Sequence, residues 1–281
     1  MNKTYEKKII LEILDASEQR LTPQYLIKRL ARKTGISSTI AKKLLKELIT
    51  EKELEYTYFF GSTYIEPSFN KPVKITERFV LTPYGLKETC SKNDINIFID
   101  PGISFGSGRH PTTRLSLKAL EHVISCGVMT QIDLKSSNST LVGLDIGTGS
   151  GVLAIAACKT IVSNCLALDI DPNSLAEANN NVIINNLETK IKISDTDIFN
   201  IKGEFSLILA NLRFPTLKNL AEKITLLSKK NTALIMSGIR THEKYDLIKL
   251  YTNQGFSILY EEDEKSWSCI AMQIKNFQEE N

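Results

Sequence analysis

Three glycines at alternate positions follow an acidic residue near the middle of the chain, in LDIGTGSG (residues 144–151). The segment lies between a strand-like apolar run and a helix-like run, so it predicts the turn that joins a strand to a helix. Glycine lacks a Cβ atom, which lets such a turn adopt unusual backbone angles and lets a ligand approach the backbone closely. The pattern therefore predicts a ligand-binding loop whose binding residues are Asp145, Gly147, Thr148, Gly149 and Gly151.

The spacing of the glycines narrows the class of ligand. GxGxG differs from the dinucleotide fingerprint GxGxxG, which seats a pyrophosphate at a helix N-terminus, and it lacks the Lys-Ser/Thr pair of a P-loop. Asp169, 24 residues after Asp145 at the end of a second apolar run, is placed to accept hydrogen bonds from a ribose diol. Asp171, which precedes Pro172, predicts a cap of the next helix instead. These features together indicate S-adenosylmethionine as the cofactor.

Residues 71–281 resemble the PrmA-type ribosomal-protein methyltransferases, which have the class I S-adenosylmethionine-dependent fold. The stretches that carry the resemblance are KPVKITERF (71–79), DPGISFGSGRHPTT (100–113), LDIGTGSGVLAIAA (144–157), LDIDP (168–172), LILAN (207–211), SGI (237–239), GF (255–256) and Trp267. The resemblance implies an α/β fold with a doubly wound, Rossmann-like sheet. It also implies an N-methyltransferase that modifies a protein amine, on a ribosomal protein or another protein.

The segment DPGISFGSGRHPTT is more specific to this family than the glycine loop is. In the family it lies over the cofactor, so the resemblance implies that Phe105 and Gly106 cover the ligand. It likewise implies that Thr112 or Thr113 lies near the methionine end, where the free N–H groups of a helix start can bind a carboxylate. His110 is either a base or a hydrogen-bonded structural residue.

Asn211 is the candidate catalytic residue, and it is also expected to contact the cofactor. It ends the apolar run FSLILAN, and open α/β sheets bind ligands outside the carboxyl ends of their strands. Its side-chain carbonyl can accept a hydrogen bond from an attacking amine and orient the lone pair, and the resemblance implies the same role. Arg213 and Phe214 stand where the family has small residues. The resemblance therefore predicts the chemistry of this protein more directly than it predicts the substrate.

The expected cofactor site has two further contacts and no metal. Asp197, or its neighbour Asp195, follows the third strand of the sheet and either contacts the adenine amino group or is a solvated loop acid. Ile170, beside the ribose acid, is expected to contact the cofactor as well. The three histidines and five cysteines lack the spacing of metal ligands, so no protein-bound metal is expected.

Short apolar runs separated by helix-length segments must position these residues. LVGLDIG, CLALDID, FSLILAN and ALIMSG predict strands that each end in or contain Asp, Asn or Gly near the carboxyl end. Strands that alternate with helices indicate a parallel sheet covered on both faces. FVLTP and NIFID predict two earlier strands, and residues 71–281 are expected to form the methyltransferase domain.

Residues 1–70 predict a separate winged-helix domain. Three amphipathic helical patterns precede a β-hairpin around Gly61, with Thr22 as a predicted N-cap and a polar joint between Pro67 and Pro72 as the boundary. Winged helices occur both in nucleic-acid-binding proteins and as dimerisation domains of some small-molecule methyltransferases. The domain is therefore expected either to recognise the substrate or to dimerise.

The basic charge of the chain lies in this first domain. Residues 1–50 contain 11 Lys and Arg against 5 Asp and Glu, whereas residues 71–281 contain 23 of each class. The third helix carries Lys42, Lys43 and Lys46 but no Arg, Asn or Gln, the residues that make most bidentate base contacts. Sequence-specific reading of DNA is therefore weakly supported. The lysines form either a solvated helix face or a surface that contacts RNA or a ribonucleoprotein.

Composition limits the function classes. Hydrophobic residues are 42% and charged residues 24%, values typical of globular proteins, and no apolar run approaches the ~18 residues that a membrane span needs. A cytoplasmic protein methyltransferase is the leading hypothesis. A small-molecule methyltransferase with a dimerising winged helix is the alternative. A transcription regulator that only senses the cofactor is disfavoured, because all the expected cofactor-binding residues are present.

Overall fold

The computed structural model describes residues 3–17, 19–59, 61–86, 91, 93–100, 110–127 and 140–274. The chain forms two compact units, Met1–Lys71 and Pro72–Asn281. Each unit has a buried apolar cluster of its own. Each unit therefore has the internal packing that a separate domain requires.

The first unit consists of three helices followed by a β-hairpin. Its elements are α1 (Lys3–Asp15), α2 (Pro23–Thr34), α3 (Ser38–Thr50), β1 (Leu54–Phe59) and β2 (Ser62–Pro67). Local signals set the helix ends: the Thr22 side chain accepts a hydrogen bond from the Tyr25 N–H, and Gly35 closes α2 with φ of 74°. Ser37 caps α3 in the same way as Thr22 caps α2. The assignment of this unit to the winged-helix class stays a prediction.

The apolar stripes of the three helices meet in one cluster with the hairpin. The buried members are Ile9, Ile10, Ile13, Leu21, Leu26, Leu30, Ile36, Ala41, Leu44, Leu45, Leu48, Leu54 and Ile65. Most of them recur at helical spacing, so each helix buries one face and leaves its charged face in solvent.

The second unit begins with a small sheet that is separate from the main one. Its strands β3 (Val73–Lys74), β4 (Phe79–Pro83) and β5 (Ile95–Ile99) lie in that order, and β4 and β5 are parallel. The two predicted strands FVLTP and NIFID thus pair with each other. The Asn185 side chain holds β5 by donating to the Phe98 carbonyl at 2.7 Å and accepting from its N–H at 3.0 Å.

The main sheet has seven strands in the order β11-β12-β10-β9-β6-β7-β8. They are β6 (Val142–Ile146), β7 (Asn164–Leu168), β8 (Ile191–Ser194), β9 (Phe205–Asn211), β10 (Ser228–Arg240), β11 (Phe256–Glu264) and β12 (Trp267–Ile274). Strands β6 to β10 are parallel, as the apolar runs predict. The sheet is nevertheless mixed, because β11 and β12 form an antiparallel hairpin that the sequence patterns did not predict.

Helices pack against this sheet and cover both of its faces. They are α4 (Pro111–Ser125), α5 (Val152–Cys158), α6 (Pro172–Ile184), α7 (Phe214–Asn219), α8 (Ala221–Leu226) and α9 (Lys244–Asn253). Residues 207–210 of β9 are all buried, and successive strand side chains point to opposite faces, so neither face of this strand is open to solvent. In the part of the chain that the structure describes, no helix has the length and apolar character to cross a membrane.

The separate cores predict that the first unit can be destabilised alone. Leu30 is 1% exposed in the first cluster, so Leu30→Ala should lower the free energy of unfolding of this unit by about 2–5 kcal/mol. Trp267, the only tryptophan, lies in the second unit and reports on that unit alone. In urea, the circular dichroism of the variant should therefore change early while its tryptophan fluorescence transition stays at the wild-type position. The exposed Lys28→Ala is the control, and an equal shift of both probes would contradict independent units.

Candidate active site

The predicted site residues meet at the carboxyl edge of the parallel strands. β6 lies at the centre, paired with β7 on one side and β9 on the other, so the chain reverses its direction of travel across the sheet here. Ile146 at the end of β6 is level with Leu168 of β7 and Ala210 of β9. Open α/β sheets bind their ligands at such a switch point.

The glycine loop follows β6 and needs its glycines for two reasons. Gly147, Gly149 and Gly151 have φ of 71°, 55° and 81°, a region that other residues rarely adopt. A Cβ atom on Gly147 would also lie 2.5 Å from Cδ2 of Leu212. The loop bends back on β7, since the N–H groups of Gly147 and Thr148 both donate to the Leu168 carbonyl at 2.8 Å.

Asp145 is a buried carboxylate beneath this loop, with 1% of its surface exposed. Its Oδ2 accepts hydrogen bonds from Thr148 Oγ1 at 2.7 Å and from the Ala154 N–H at 3.2 Å. Its Oδ1 is buried and has no hydrogen-bond partner among the described residues. Burial raises the pKa of Asp145 to about 6, with the charge of Asp169 acting in the same direction and the two hydrogen bonds opposing it. The Thr148 side chain thus supports the acid and the loop.

Asp169 lies directly after β7 and is bound to the glycine loop. Its Oδ2 accepts from the Gly149 N–H at 2.8 Å and its Oδ1 from the Asp171 N–H at 3.0 Å. Asp171 caps α6 by accepting from the Asn173 N–H, as the sequence predicts. Ile170 is 91% exposed beside this carboxylate. A half-buried acid next to an exposed apolar side chain suits a ribose joined to a flat aromatic base.

Asp195 and Asp197 follow β8 and are both exposed. Asp197 Oδ1 accepts from the Phe199 N–H at 3.0 Å and so caps a short 3₁₀ helix. One of its carboxylate oxygens therefore has a structural function. A contact from either acid to an adenine stays a prediction.

Asn211 ends β9, level with Ser237 of β10. Its Oδ1 is buried without a hydrogen-bond partner among the described residues. The backbone beyond it is fixed, because the Leu212 N–H donates to the Ser237 carbonyl at 3.0 Å. Gly238 has φ of 83°, and a Cβ atom there would lie 2.5 Å from the Leu212 carbonyl oxygen. This close approach holds the Asn211 amide at the strand end.

The two residues that depart from the family pattern differ in burial. Arg213 is exposed and caps α7 with its backbone alone. Phe214 is half-buried and packs against the apolar cluster of the second unit. Only the arginine of the pair therefore adds charge to the surface that follows Asn211.

His110 caps α4, and its ring is already engaged. Nδ1 accepts from the Thr112 N–H at 3.3 Å and lies 2.8 Å from Thr112 Oγ1, and the ring meets Trp267 edge to face at 4.9 Å between centroids. Burial, aided by the charges of Arg114 and Arg240, lowers the pKa of His110 to about 4. These contacts favour the structural interpretation of this histidine over a role as base.

The two candidate threonines at the start of α4 differ in their partners. Both are fully buried, but Thr112 Oγ1 is engaged with His110, whereas Thr113 Oγ1 has no partner among the described residues. Trp267 faces His110 and is paired with Arg240 at the end of β10, so the start of α4 lies at the same edge of the sheet. Phe105 and Gly106 lie outside the described residues.

Asn181 and Ser150 lie at the candidate site, but sequence analysis did not identify them. Asn181 is fully buried on α6, where its Nδ2 donates to the Ser150 carbonyl and its Oδ1 accepts from the Asp100 N–H, both at 2.9 Å. It therefore links the glycine loop to the start of the family-specific segment. The sequence feature that could have identified Asn181 is its position on the apolar stripe of a helix, between Ala178 and Val182.

Buried polar atoms without partners cluster at this edge. Six such side-chain atoms occur among the described residues, and four of them belong to Thr113, Asp145, Ser150 and Asn211. Buried polar groups in proteins are nearly always hydrogen-bonded, so four open groups around a glycine loop fit a polar ligand. The residues present thus suit a cofactor with a ribose, an amino group and a carboxylate.

The family model described as "Ribosomal protein L11 methyltransferase (PrmA)" matches residues 62–275. The chain belongs to this family. Relatives named ribosomal protein L11 methyltransferase include that of Geotalea daltonii, 32% identical over 73% of this chain and 65% of the relative, and that of Clostridium botulinum, 31% identical over 74% and 62%. The matched part of the chain spans just under two thirds of the length of these PrmA relatives.

A solved structure of the PrmA family has the same fold. The ribosomal protein L11 methylase from Lactobacillus delbrueckii subsp. bulgaricus is similar over 73% of this chain and 100% of that chain, with a TM-score of 0.62 and 25% identity. The resemblance to PrmA and the class I methyltransferase fold of the second unit are thereby confirmed. The match to the PrmA model begins at residue 62, so the helices of the first unit lie outside it.

The raised pKa of Asp145 predicts a pH-dependent stability. The folded state holds the proton of the Asp145 carboxyl more tightly than the unfolded state does. The stability that this proton contributes is therefore fully present below the unfolded pKa of about 3.8 and is lost as pH rises through about 6. Asp145→Asn cannot lose that proton, so its stability relative to wild type should increase by about 2 kcal/mol between pH 4 and pH 7. Urea unfolding at a series of pH values measures the difference, with the exposed Asp246→Asn as control. Parallel profiles of wild type and Asp145→Asn would contradict the assignment.

Proposed function

We propose that this PrmA-family protein is an S-adenosylmethionine-dependent N-methyltransferase that modifies a protein amine, with a ribosomal protein as its acceptor. The observation that carries the proposal is the set of four unpartnered buried polar atoms around the glycine loop. Family membership supports it as well, because the reported PrmA relatives are named ribosomal protein L11 methyltransferase.

The cofactor would be held along the strand ends. Asp169 would accept the ribose hydroxyls, Ile170 would cover one face of the adenine, and Asp197 would contact the adenine amino group. The loop of Gly147, Gly149 and Gly151 lets the ligand approach the backbone, since no Cβ atom intervenes. Asp145 and the start of α4, at Thr112 and Thr113, would bind the amino acid end. When bound, S-adenosylmethionine supplies a methyl group that its positively charged sulfur has already activated.

Asn211 would position the acceptor amine. Its open Oδ1 can accept one N–H of a neutral amine, which turns the nitrogen lone pair toward the reacting carbon. Positioning a neutral nucleophile in line can supply several kcal/mol of the barrier reduction without a strong base. A lysine must first lose a proton, because its usual pKa is about 10.4, and a desolvated site lowers the cost of that loss. His110 is engaged as a helix cap and is not assigned this task.

The first unit is proposed as a substrate-recognition module. It lies almost wholly before the family match, so its role rests on its own residues, and its positive charge suits contact with RNA near the acceptor. A small-molecule methyltransferase with a dimerising first unit is not favoured, because the reported relatives are named for a protein substrate. A ribosomal acceptor makes the cytoplasm the proposed location, which the free thiols Cys126, Cys158, Cys165 and Cys269 suit.

The cofactor assignment predicts a selective loss of affinity in Asp169→Ala. Isothermal titration should detect S-adenosylmethionine and S-adenosylhomocysteine but not NAD. The variant should lose about 1–3 kcal/mol of binding free energy, because the ribose hydroxyls lose their acceptor. Asp171→Ala is the matched control: it removes a helix cap and should reduce stability while leaving the affinity nearly unchanged. Tight NAD binding, or wild-type affinity in Asp169→Ala, would refute the assignment.

The acceptor assignment predicts where the methyl group goes and which residue sets the rate. Ribosomal protein L11 incubated with the enzyme and isotopically labelled cofactor should carry the label on an amine, detected by mass spectrometry. Asn211→Ala should lower kcat at least about 10-fold, equivalent to ~1.4 kcal/mol, while cofactor affinity changes little.

The controls for this experiment test the class of acceptor and the role of Asn211. Asn219→Ala alters an exposed asparagine on α7 and should keep the wild-type rate. Label found in RNA or in a small solute instead of protein would overturn the protein acceptor. A folded Asn211→Ala variant with normal turnover would show that Asn211 only ends the strand and does not position the acceptor.

A further inference from the structure

The positive charge of the first unit is concentrated on the outer faces of two neighbouring helices. On α2, Tyr25, Lys28, Arg29 and Arg32 recur at i, i+3, i+4 and i+7 and are all exposed. They lie on the side away from the buried Leu26 and Leu30. A solvated helix face usually mixes acidic and basic residues that pair at i and i+4, whereas this stripe has one aromatic residue, three cations and no acid.

Apart from Ser38 and Ile40 in its first turn, the exposed stripe of α3 contains only lysine and threonine. Thr39, Lys42, Lys43, Lys46 and Thr50 lie opposite the buried residues of this helix. The helices α2 and α3 pack against each other around the same apolar cluster. We call the outer faces of these two helices together the basic face and define it by Tyr25, Lys28, Arg29, Arg32, Lys42, Lys43 and Lys46.

Five acids of this unit are paired with cations outside the basic face. Among the described residues, Glu12 pairs with Lys33, Glu47 and Glu51 with Lys7, Glu53 with Lys71 and Glu66 with Arg20. None of the six cations on the basic face has an ion pair within the described part of the chain. Six unneutralised positive charges thus remain on the outer faces of α2 and α3. Such a surface gains free energy by releasing the counterions of a polyanion.

We propose that the basic face binds the sugar–phosphate backbone of RNA. Lysine acts as a point charge on phosphates, and the exposed stripe of α3 has no Arg, Asn or Gln to read base edges, so the contact made by α3 is independent of base sequence. Tyr25 is 55% exposed among the cations and offers an aromatic face on which an unpaired base can stack. The choice of RNA over DNA also rests on the proposed ribosomal acceptor.

The test measures binding by fluorescence anisotropy, without cofactor or acceptor, so it stays readable if the proposed methylation fails. The probes are a labelled RNA hairpin with a single-stranded loop and the DNA hairpin of the same sequence. The triple variant Lys42→Ala, Lys43→Ala, Lys46→Ala in the full chain should bind the RNA about 100-fold more weakly at ~0.1 M salt. The slope of log K against log salt concentration should also fall by about 2–3.

A second variant tests the aromatic part of the proposal. Tyr25→Ala should weaken binding of the looped hairpin about 10-fold and leave binding of a fully paired RNA duplex nearly unchanged, because only an unpaired base can stack on the ring. The matched control removes three exposed lysines from the second unit, Lys192→Ala, Lys202→Ala and Lys249→Ala, and should keep wild-type affinity. All substituted positions are exposed, and circular dichroism verifies that the variants fold.

Several results would overturn the proposal. One is an equal loss of affinity in the control triple variant, and another is DNA binding as tight as RNA binding. Sedimentation provides a third: a dimer of the wild type that the triple variant converts to monomer would make the basic face a contact between two copies of the chain. No RNA binding even at low salt would overturn it directly.

Discussion

The glycine loop is held against the end of β7 by backbone hydrogen bonds, and the site depends on this contact. The N–H groups of Gly147 and Thr148 share the Leu168 carbonyl, and the Gly149 N–H binds the Asp169 carboxylate. The left-handed backbone that the glycines allow bends the loop back toward β7, where these bonds form. The same bend leaves room for Leu212 against Gly147, and Leu212 in turn fixes the strand end that carries Asn211. One turn thus positions both the proposed ribose acid and the proposed acceptor residue.

The cost of this arrangement appears in buried polar groups. A buried carboxylate with one unpartnered oxygen and a raised pKa, as at Asp145, is less stable than a solvated one. The open oxygens of Thr113, Ser150 and Asn211 add to the same cost. Binding sites commonly retain such strain because a ligand supplies the missing partners. The open polar groups at this edge of the sheet therefore support the proposed cofactor site.

The two units divide charge and chemistry between them. The second unit carries almost no net charge, with 22 Lys and Arg against 23 Asp and Glu, and holds the candidate active site, while the first unit holds the unneutralised cations of the basic face. The proposed long-range attraction of RNA by the first unit and the proposed short-range positioning of the amine by the second are physically separable, because surface charge acts over about 10 Å whereas amine alignment needs contact.

The sequence alone determined the features that depend on local chemistry. Glycine spacing predicted the loop, Thr22 and Asp171 predicted helix caps, and the apolar runs predicted β6, β7, β9 and β10, because these signals act within a few residues. Tertiary structure decided what depends on distant partners. It paired β11 with β12 antiparallel, made Asn181 a link between Asp100 and Ser150, and left four polar atoms open at one edge. Burial and pairing across the chain set these outcomes, and no local pattern encodes which buried group will lack a partner.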